Sequence, residues 1–335
     1  MKIFFLICCA LMIFSFEGHP QDPHFSQFFV SPLTLNPALT GKFNGDIRAA
    51  GNYRNQYPSY NNAYTTYTLS VDGTFIKGSS AQQDNWGAGI LALKDISGNG
   101  ILTNSYLGLS TSYHKSLDEN GWKQISIGIQ AILGEKRFDN SKLFFEDQLT
   151  SQGFTGITQD IFSNENLNIR YTDIAAGILY TASTDETNNF YLGASMYHIN
   201  KPRESFKGGN WNLGQRTTIS AGGYLPLSAT LTLHTSGIYQ LQNKASEIVA
   251  GGALSATVSP VASTPIVVYA GAWYRLKDAL IPYIGLEYSA FRIGASYDIN
   301  TSGLKAGSQS KGGMEFSMIY IKPQVKYKGI PCFKF

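Results

Sequence analysis

The side chains that could carry out chemistry include five histidines and three cysteines, and they are scattered along the sequence. A hydrolase needs a nucleophile beside a base, and the pair that we find on one wall of a predicted strand is Ser236 with His234. A pair at i and i+2 is common on any polar strand face, so we interpret it as structural. The histidines and cysteines do not have the spacing of a zinc site. We therefore predict that the protein is not an enzyme and uses no metal or other cofactor.

The elements that must position polar side chains in this chain are β-strands, as residues 279–300 illustrate. Apolar and polar residues alternate in the second half of this stretch: Phe291, Ile293, Ala295, Tyr297 and Ile299 against Arg292, Gly294, Ser296, Asp298 and Asn300. Successive strand side chains point to opposite faces, so the pattern predicts a strand with one apolar and one polar face. Comparable stretches predict about fourteen strands, at residues 45–54, 64–72, 85–95, 106–114, 124–138, 171–182, 190–198, 215–225, 230–240, 247–258, 265–276, 279–288, 290–300 and 312–321.

The composition favours a membrane barrel over a soluble sandwich. Charged residues make up 15% of the chain, against roughly 25% in soluble domains. A charge on a lipid-facing surface near the midplane costs about 2–4 kcal/mol, and the strand charges collect on the polar face. These charges are Arg48, Arg54, Asp72, Asp173, Arg292, Asp298 and Glu315. We predict an all-β fold, a transmembrane antiparallel β-barrel of about fourteen strands in the outer membrane. No run of lysine and arginine indicates binding to nucleic acid.

Two segments precede the predicted barrel. Residues 1–18 have the features of a secretory signal peptide, with Lys2 followed by an apolar core. Residues 19–44 are rich in proline, which excludes a regular helix or a central strand over most of their length. We expect a periplasmic leader segment that plugs the lumen, docks on the periplasmic rim or binds a partner. The barrel itself is predicted to occupy residues 45–335.

The two longest connections follow odd-numbered strands, at residues 139–170 and 199–214. In a barrel with both termini in the periplasm, such connections face outward. The first connection contains four aromatic residues among carboxylates, a mixture that protein interfaces use. We predict that it is the leading partner contact, and the alternative is a lid over the barrel mouth. The aromatic residues are Phe144, Phe145, Phe154 and Phe162.

A resemblance to a known family adds to these patterns. The sequence DPHFSQFFVSPLTLNPALTG at 22–41, followed by Arg48 and by YRNQYPSY at 53–60, resembles the opening signature of the PorP/SprF family. The resemblance continues through SVDGTF, WGAGILALKDISGNG and GGMEFSMIY, at 70–75, 86–100 and 312–320. The signature residues are Asp22, Pro23, Phe25, Ser26, Gln27, Asn36, Pro37, Tyr53, Arg54, Gln56 and Pro58.

The resemblance implies an outer-membrane barrel of the type IX secretion system of Bacteroidetes, with a role in secretion, surface attachment or gliding. The implied partners are a secreted surface protein, other secretion-system components, or both, besides membrane lipid. An outer-membrane channel or a FadL-like transporter of small solutes is the alternative function. Fourteen strands leave room for a conduit unless something fills it. A strong outward aromatic groove or a lumen dominated by one charge sign would favour transport, whereas the predicted lumen charges are mixed.

Overall fold

The computed structural model describes residues 21–58, 63–77, 84–119, 121–151, 153–155, 158–159, 167–184, 188–206, 209–258, 264–303 and 308–323. The predicted signal peptide, residues 1–18, lies outside these ranges. Within them, fourteen long strands close into one antiparallel barrel. The barrel strands are β1 (Ile47–Gln56), β2 (Tyr64–Lys77), β3 (Asn85–Ser97), β4 (Leu102–Ser116), β5 (Lys123–Phe138), β8 (Asn168–Ala182), β9 (Asn189–Tyr197), β10 (Arg216–Pro226), β11 (Leu231–Gln242), β12 (Ala245–Thr257), β13 (Ile266–Arg275), β14 (Ala279–Tyr288), β15 (Phe291–Asn300) and β16 (Lys311–Lys322). A small hairpin of β6 (Leu149–Thr150) and β7 (Gly153–Phe154) lies in the loop between β5 and β8.

Pairing between the first and the last strand closes the barrel. β1 pairs with β16, with Ile47 opposite Lys322 and Arg54 opposite Glu315. A closed sheet has no edge strand, so its backbone groups can be bonded to one another inside a bilayer. The predicted antiparallel barrel of about fourteen strands is confirmed.

The predicted and observed strands differ mainly at their ends. β4 begins at Leu102 rather than at residue 106, and β2 continues to Lys77 rather than ending at residue 72. The additional residues lack a clear alternation of side chains but still pair, as Thr103 does with Ile96. Backbone pairing therefore extends beyond the part of each strand in which the sequence alternates.

The two faces of the barrel wall largely have the predicted composition. Outward side chains in the middle of the strands are mostly apolar and exposed, as at Ile293 and Ile127. The prediction was wrong near the long-loop end, where Lys94, Glu135 and Arg170 also point outward. Inward side chains are buried, and many of them are polar, such as Asp298, which is 3% exposed. Six of the seven charges predicted for the polar face are buried, whereas Arg292, near the start of β15, is partly exposed. No helix in the described ranges is long and apolar enough to cross a membrane.

The proline-rich part of the chain, residues 22–44, lies inside the barrel and is called the N-terminal segment below. It contains three short helical turns: Phe28–Val30, Pro32–Leu35 and Pro37–Leu39. A proline begins the second and the third turn, where its fixed φ suits the helix and its missing N–H is not needed. The segment therefore has a defined local structure without forming a long helix.

The N-terminal segment runs from one end of the lumen to the other. Asp22 contacts His198 beside the long β9–β10 loop. Lys42 contacts Gln124 beside the short β4–β5 turn, at the opposite end. Between these points the segment is deeply buried, and Leu33 is 0% exposed.

Two strand glycines let the N-terminal segment lie directly on the wall. A Cβ added at Gly128 would be 2.3 Å from the carbonyl carbon of Pro37, and one at Gly177 would be 2.0 Å from Oδ1 of Asn36. Both distances are far below van der Waals contact, so a side chain at either position would displace the segment. These glycines determine where the segment contacts β5 and β8.

An apolar core fills the space between the N-terminal segment and the opposite wall. Phe28 and Leu35 of the segment join a buried cluster that includes Trp273 and Tyr283. The ring of Phe29 stacks on that of Trp273 with 4.7 Å between centroids. Full burial of one such side chain contributes about 1.5–3 kcal/mol, so apolar contacts as well as charges hold the segment in the lumen.

Candidate functional site

The N-terminal segment begins in a polar cluster that we call the outer clasp: Asp22, Asp173, His198, Arg216 and Gln242. The Asp22 carboxylate lies 2.6 Å from Nε2 of His198 and 3.3 Å from Nη1 of Arg216. It also accepts a hydrogen bond of 3.1 Å from the Gln242 amide. The other ring nitrogen of His198 lies 2.9 Å from the Asp173 carboxylate. The outer clasp thus joins the start of the segment to β8, β10 and β11.

The outer clasp keeps His198 protonated at neutral pH. Burial favours the neutral imidazole, but the carboxylates of Asp22 and Asp173 outweigh it and raise the pKa of His198 to about 9. Burial also opposes the charge on Asp22, yet Arg216 and His198 hold the pKa of that carboxyl well below its usual range. His198 is therefore a cation held between two carboxyl groups.

A second cluster, the central clasp, holds the segment near Ser26 and consists of Ser26, Gln27, Arg54, Arg275, Asp298 and Glu315. The two Glu315 carboxylate oxygens accept the backbone N–H groups of Ser26 and Gln27 at 2.8 and 3.0 Å. The Ser26 hydroxyl donates to Asp298 at 2.7 Å. Asp298 in turn pairs with Arg54 at 3.0 Å and with Arg275 at 2.8 Å. Side chains of β1 and β16 thereby bond to the backbone of the segment, and side chains of β13 and β15 bond to the Ser26 hydroxyl.

A third cluster, the inner clasp, holds the end of the segment and consists of Gly41, Arg48 and Asp72. Arg48 donates to both Asp72 oxygens, at 2.9 and 2.7 Å. One of these oxygens accepts the Gly41 N–H at 2.7 Å, and Arg48 also donates to the Leu39 carbonyl at 3.0 Å. The inner clasp therefore fixes the segment just before it enters β1.

Several signature residues come together at these clasps. Asp22 belongs to the outer clasp, and Ser26, Gln27 and Arg54 belong to the central clasp. The side-chain oxygen of Asn36 accepts the backbone N–H of Ala38 at 2.9 Å and so caps the turn Pro37–Leu39. The remaining members of this group, Pro23, Phe25 and Pro37, lie along the same segment, with Phe25 buried.

Three other signature residues do not join the clasps. Tyr53 points outward from β1 and contacts the ring of Tyr67 at 5.2 Å. Gln56 and Pro58 lie at the far end of β1 and beyond it, and both are partly buried. Of these three, Tyr53 points away from the lumen although it is adjacent to Arg54 in the sequence.

The predicted pair of Ser236 and His234 is not joined by a hydrogen bond, because each side chain contacts another partner. Ser236 accepts a hydrogen bond from the Trp273 indole at 2.9 Å, whereas His234 contacts Ser255 at 3.0 Å. Sequence reasoning missed Ser112 and His114, which have the same spacing and do meet, at 2.9 Å. Their shared neighbour is the Thr40 carbonyl of the N-terminal segment, so this pair anchors the segment. Among the described residues no cluster could hold a metal ion.

The long loop between β5 and β8 carries an exposed aromatic pair. Phe144 is 80% exposed and packs against Phe154, with 5.3 Å between ring centroids. Leu149, in the hairpin between them, is 70% exposed. Phe145 is partly buried, and its N–H donates to the Gln148 side chain at 2.8 Å. Phe162 lies outside the described residues. The structure thus brings together two of the four predicted aromatic residues, and Leu149 adds to their surface.

Comparisons with known proteins agree with this architecture. The family model described as type IX secretion system membrane protein PorP/SprF matches residues 17–320. No curated protein matches the chain.

Solved structures that are similar to the chain are barrels of low sequence identity. The CymD monoaromatic hydrocarbon channel is 9% identical, with a TM-score of 0.50 over 88% of this chain and 93% of that chain. A TodX monoaromatic hydrocarbon channel mutant is 10% identical, with a TM-score of 0.48 over 88% and 94%. BamA from Haemophilus ducreyi, lacking POTRA domains 1–3, is 9% identical, with a TM-score of 0.41 over 83% and 70%. At such identity the likeness to CymD concerns the fold alone.

Proposed function

The chain belongs to the PorP/SprF family of type IX secretion system membrane proteins, and from this premise we propose that it is a closed outer-membrane platform. In this proposal the barrel holds a secreted surface protein, or another component of the secretion machinery, at its outer loops. The observation that carries the proposal is the N-terminal segment, which occupies the lumen from Asp22 to Lys42. A filled lumen leaves the outer surface as the place where the barrel acts.

The energetics of the lumen support a permanent plug over a gate. Withdrawal of the segment would break its hydrogen bonds to buried wall side chains at the central and inner clasps. At the outer clasp it would also part Asp22 from His198 and Arg216. Removing one partner from a buried ion pair costs about 3–5 kcal/mol. The segment would also lose the contact between Phe29 and Trp273. A solute channel would have to offset these costs in every opening event, which disfavours the transporter alternative.

The exposed loop surface supports a protein partner. Phe144, Leu149 and Phe154 form an apolar patch, and Glu146 and Asp147 beside it are exposed. Exposed aromatic residues with a polar rim are typical of protein interfaces. The patch fits a partner that offers an apolar pocket with basic residues around it.

Replacement of residues 142–166 by a short Gly/Ser linker tests the proposal. We expect a folded barrel that no longer retains its partner and that conducts no solute, because the plug is untouched. A shortened loop at 203–212 serves as the matched control and should retain the partner. If the first variant keeps the partner and gains conductance, the loop is a lid and the protein is a channel.

A further inference from the structure

A groove crosses the outer wall of the barrel over β2, β3, β4, β5 and β8. It has a volume of about 790 Å³. Its apolar part lies along one row of the sheet, where Ala92 pairs with Leu69 on one side and with Leu107 on the other. Leu107 in turn pairs with Leu133. The three leucines are 53–61% exposed, and the small Ala92 side chain between them leaves the depression.

The next outward row toward the long loops is charged. Two residues along from Ala92, Lys94 lies opposite Ser105, and Ser105 lies opposite Glu135. Glu135 pairs with Arg170 at 3.6 Å. The Lys94 side chain forms no hydrogen bond or ion pair with any described residue. Two neighbouring outward rows of the groove therefore differ in character, because one is apolar and the next is charged.

A second cavity of about 490 Å³ continues from Lys94 toward the loops and adds Arg137, Asp139 and Lys142. With Glu135 and Arg170, the surface above the apolar row carries four cations and two carboxylates, a formal sum of +2. Charges on the lipid face cost about 2–4 kcal/mol at the midplane but about 0–1 kcal/mol near an interface. This cluster therefore lies at the level of lipid headgroups, at the end of the barrel with the long loops.

We propose that this groove binds a multiply acylated, phosphorylated glycolipid of the outer leaflet. Its acyl chains lie side by side across the leucine row, and its phosphates contact Lys94, Arg137 and Arg170. The breadth of the groove favours such a lipid over one with two chains. The apolar row covers four strands, β2 to β5, and at a spacing of about 4.8 Å they span about 14 Å. This width holds about three chains at a carbon–carbon contact distance of about 4 Å. Lysine and arginine are the side chains that recognise phosphate.

The test uses the full chain, purified in detergent, delipidated and titrated with hexa-acylated bisphosphoryl lipid A under native mass spectrometry. The combined variant Lys94→Gln, Arg137→Gln and Arg170→Gln should lower the affinity at least about tenfold. A matched control removes three exposed cations elsewhere at the same end, through Lys201→Gln, Lys277→Gln and Lys311→Gln, and should change the affinity by less than about twofold. Heat-modifiable mobility on gels establishes that each variant is folded.

A second variant tests the apolar half without altering charge. Ala92→Phe fills the depression from the lipid side, where a larger apolar side chain is tolerated, and should also weaken lipid A binding at least about tenfold. If the charge variant does not fold, Ala92→Phe alone tests the proposal. Dephosphorylated lipid A and phosphatidylglycerol should both bind more weakly than bisphosphoryl lipid A. Equal affinity in the groove variants and the control, or equal retention of phosphatidylglycerol, would overturn the proposal.

Discussion

Asp298→Asn should release the N-terminal segment from the lumen. Asp298 pairs with Arg54 and Arg275 and accepts a hydrogen bond from Ser26. A neutral amide leaves two buried guanidinium groups with one carboxylate fewer, whereas withdrawal of the segment lets water reach them. Breaking a buried pair costs about 3–5 kcal/mol, and we take about 3 kcal/mol because Arg275 keeps its contact with Glu247. The equilibrium for release should therefore shift by about 150-fold.

Maleimide labelling of a single cysteine in the segment measures this release. Ser31→Cys is nearly isosteric at a site that is 3% exposed, and Cys332→Ser removes the one cysteine that lies outside the predicted signal peptide, residues 1–18. The control variant, Asp84→Asn, breaks an ion pair with the partly exposed Lys115, which is worth about 0–1 kcal/mol. Labelling should accelerate by about two orders of magnitude with Asp298→Asn and at most about fivefold with the control. A folded Asp298→Asn barrel that labels at the original rate would refute the view that the central clasp holds the segment.

Three further predictions follow from the wall and the segment. Ile293→Arg on the lipid face should cost about 2–4 kcal/mol in bilayer refolding, and Ile293→Leu should be nearly neutral. The pKa of His198 is raised to about 9 from 6.5, so the stabilisation that its charge gives the closed segment is full below pH 6.5 and disappears as pH rises through 9. Segment labelling should increase over that window, and His198→Leu should abolish this pH dependence. Gly128→Val would collide with Pro37 and should expose the segment, whereas Gly303→Ala, with open space around it, should not; equal labelling of both would contradict the packing.

The barrel wall could be predicted from the sequence because its signal is local. Alternation along β15 distinguishes Ile293 from Asp298 within a few residues, and the bilayer imposes that pattern on each strand. The charged side chains that point outward at the long-loop end of β3, β5 and β8 were not predicted. The wet face was expected to hold the strand charges, yet Lys94, Glu135 and Arg170 point outward. They lie beyond the apolar band, where the cost of a charge is small, so alternation no longer constrains them.

The path of the N-terminal segment could not be predicted because its contacts are distant in the sequence. Prolines excluded regular structure and left three placements open. The choice among them depends on pairs such as Ser26 with Asp298, 272 residues apart. The family signature identified Asp22 and Arg54 as important, but it did not indicate that they belong to different clasps at different depths. The lumen is specified by many long-range polar contacts, none of which has a local pattern.

Affinity isolation from the native outer membrane tests the central claim most directly. The intact chain is compared with a variant that carries Phe144→Ser and Phe154→Ser, and with Trp211→Ser as the control. Trp211 is a 74% exposed aromatic residue of the other long loop. The platform account predicts that a secreted or secretion-system protein is recovered with the intact chain and the control and is lost with the double variant. Recovery of no partner with the intact chain, or of the same partner with all three, would contradict it.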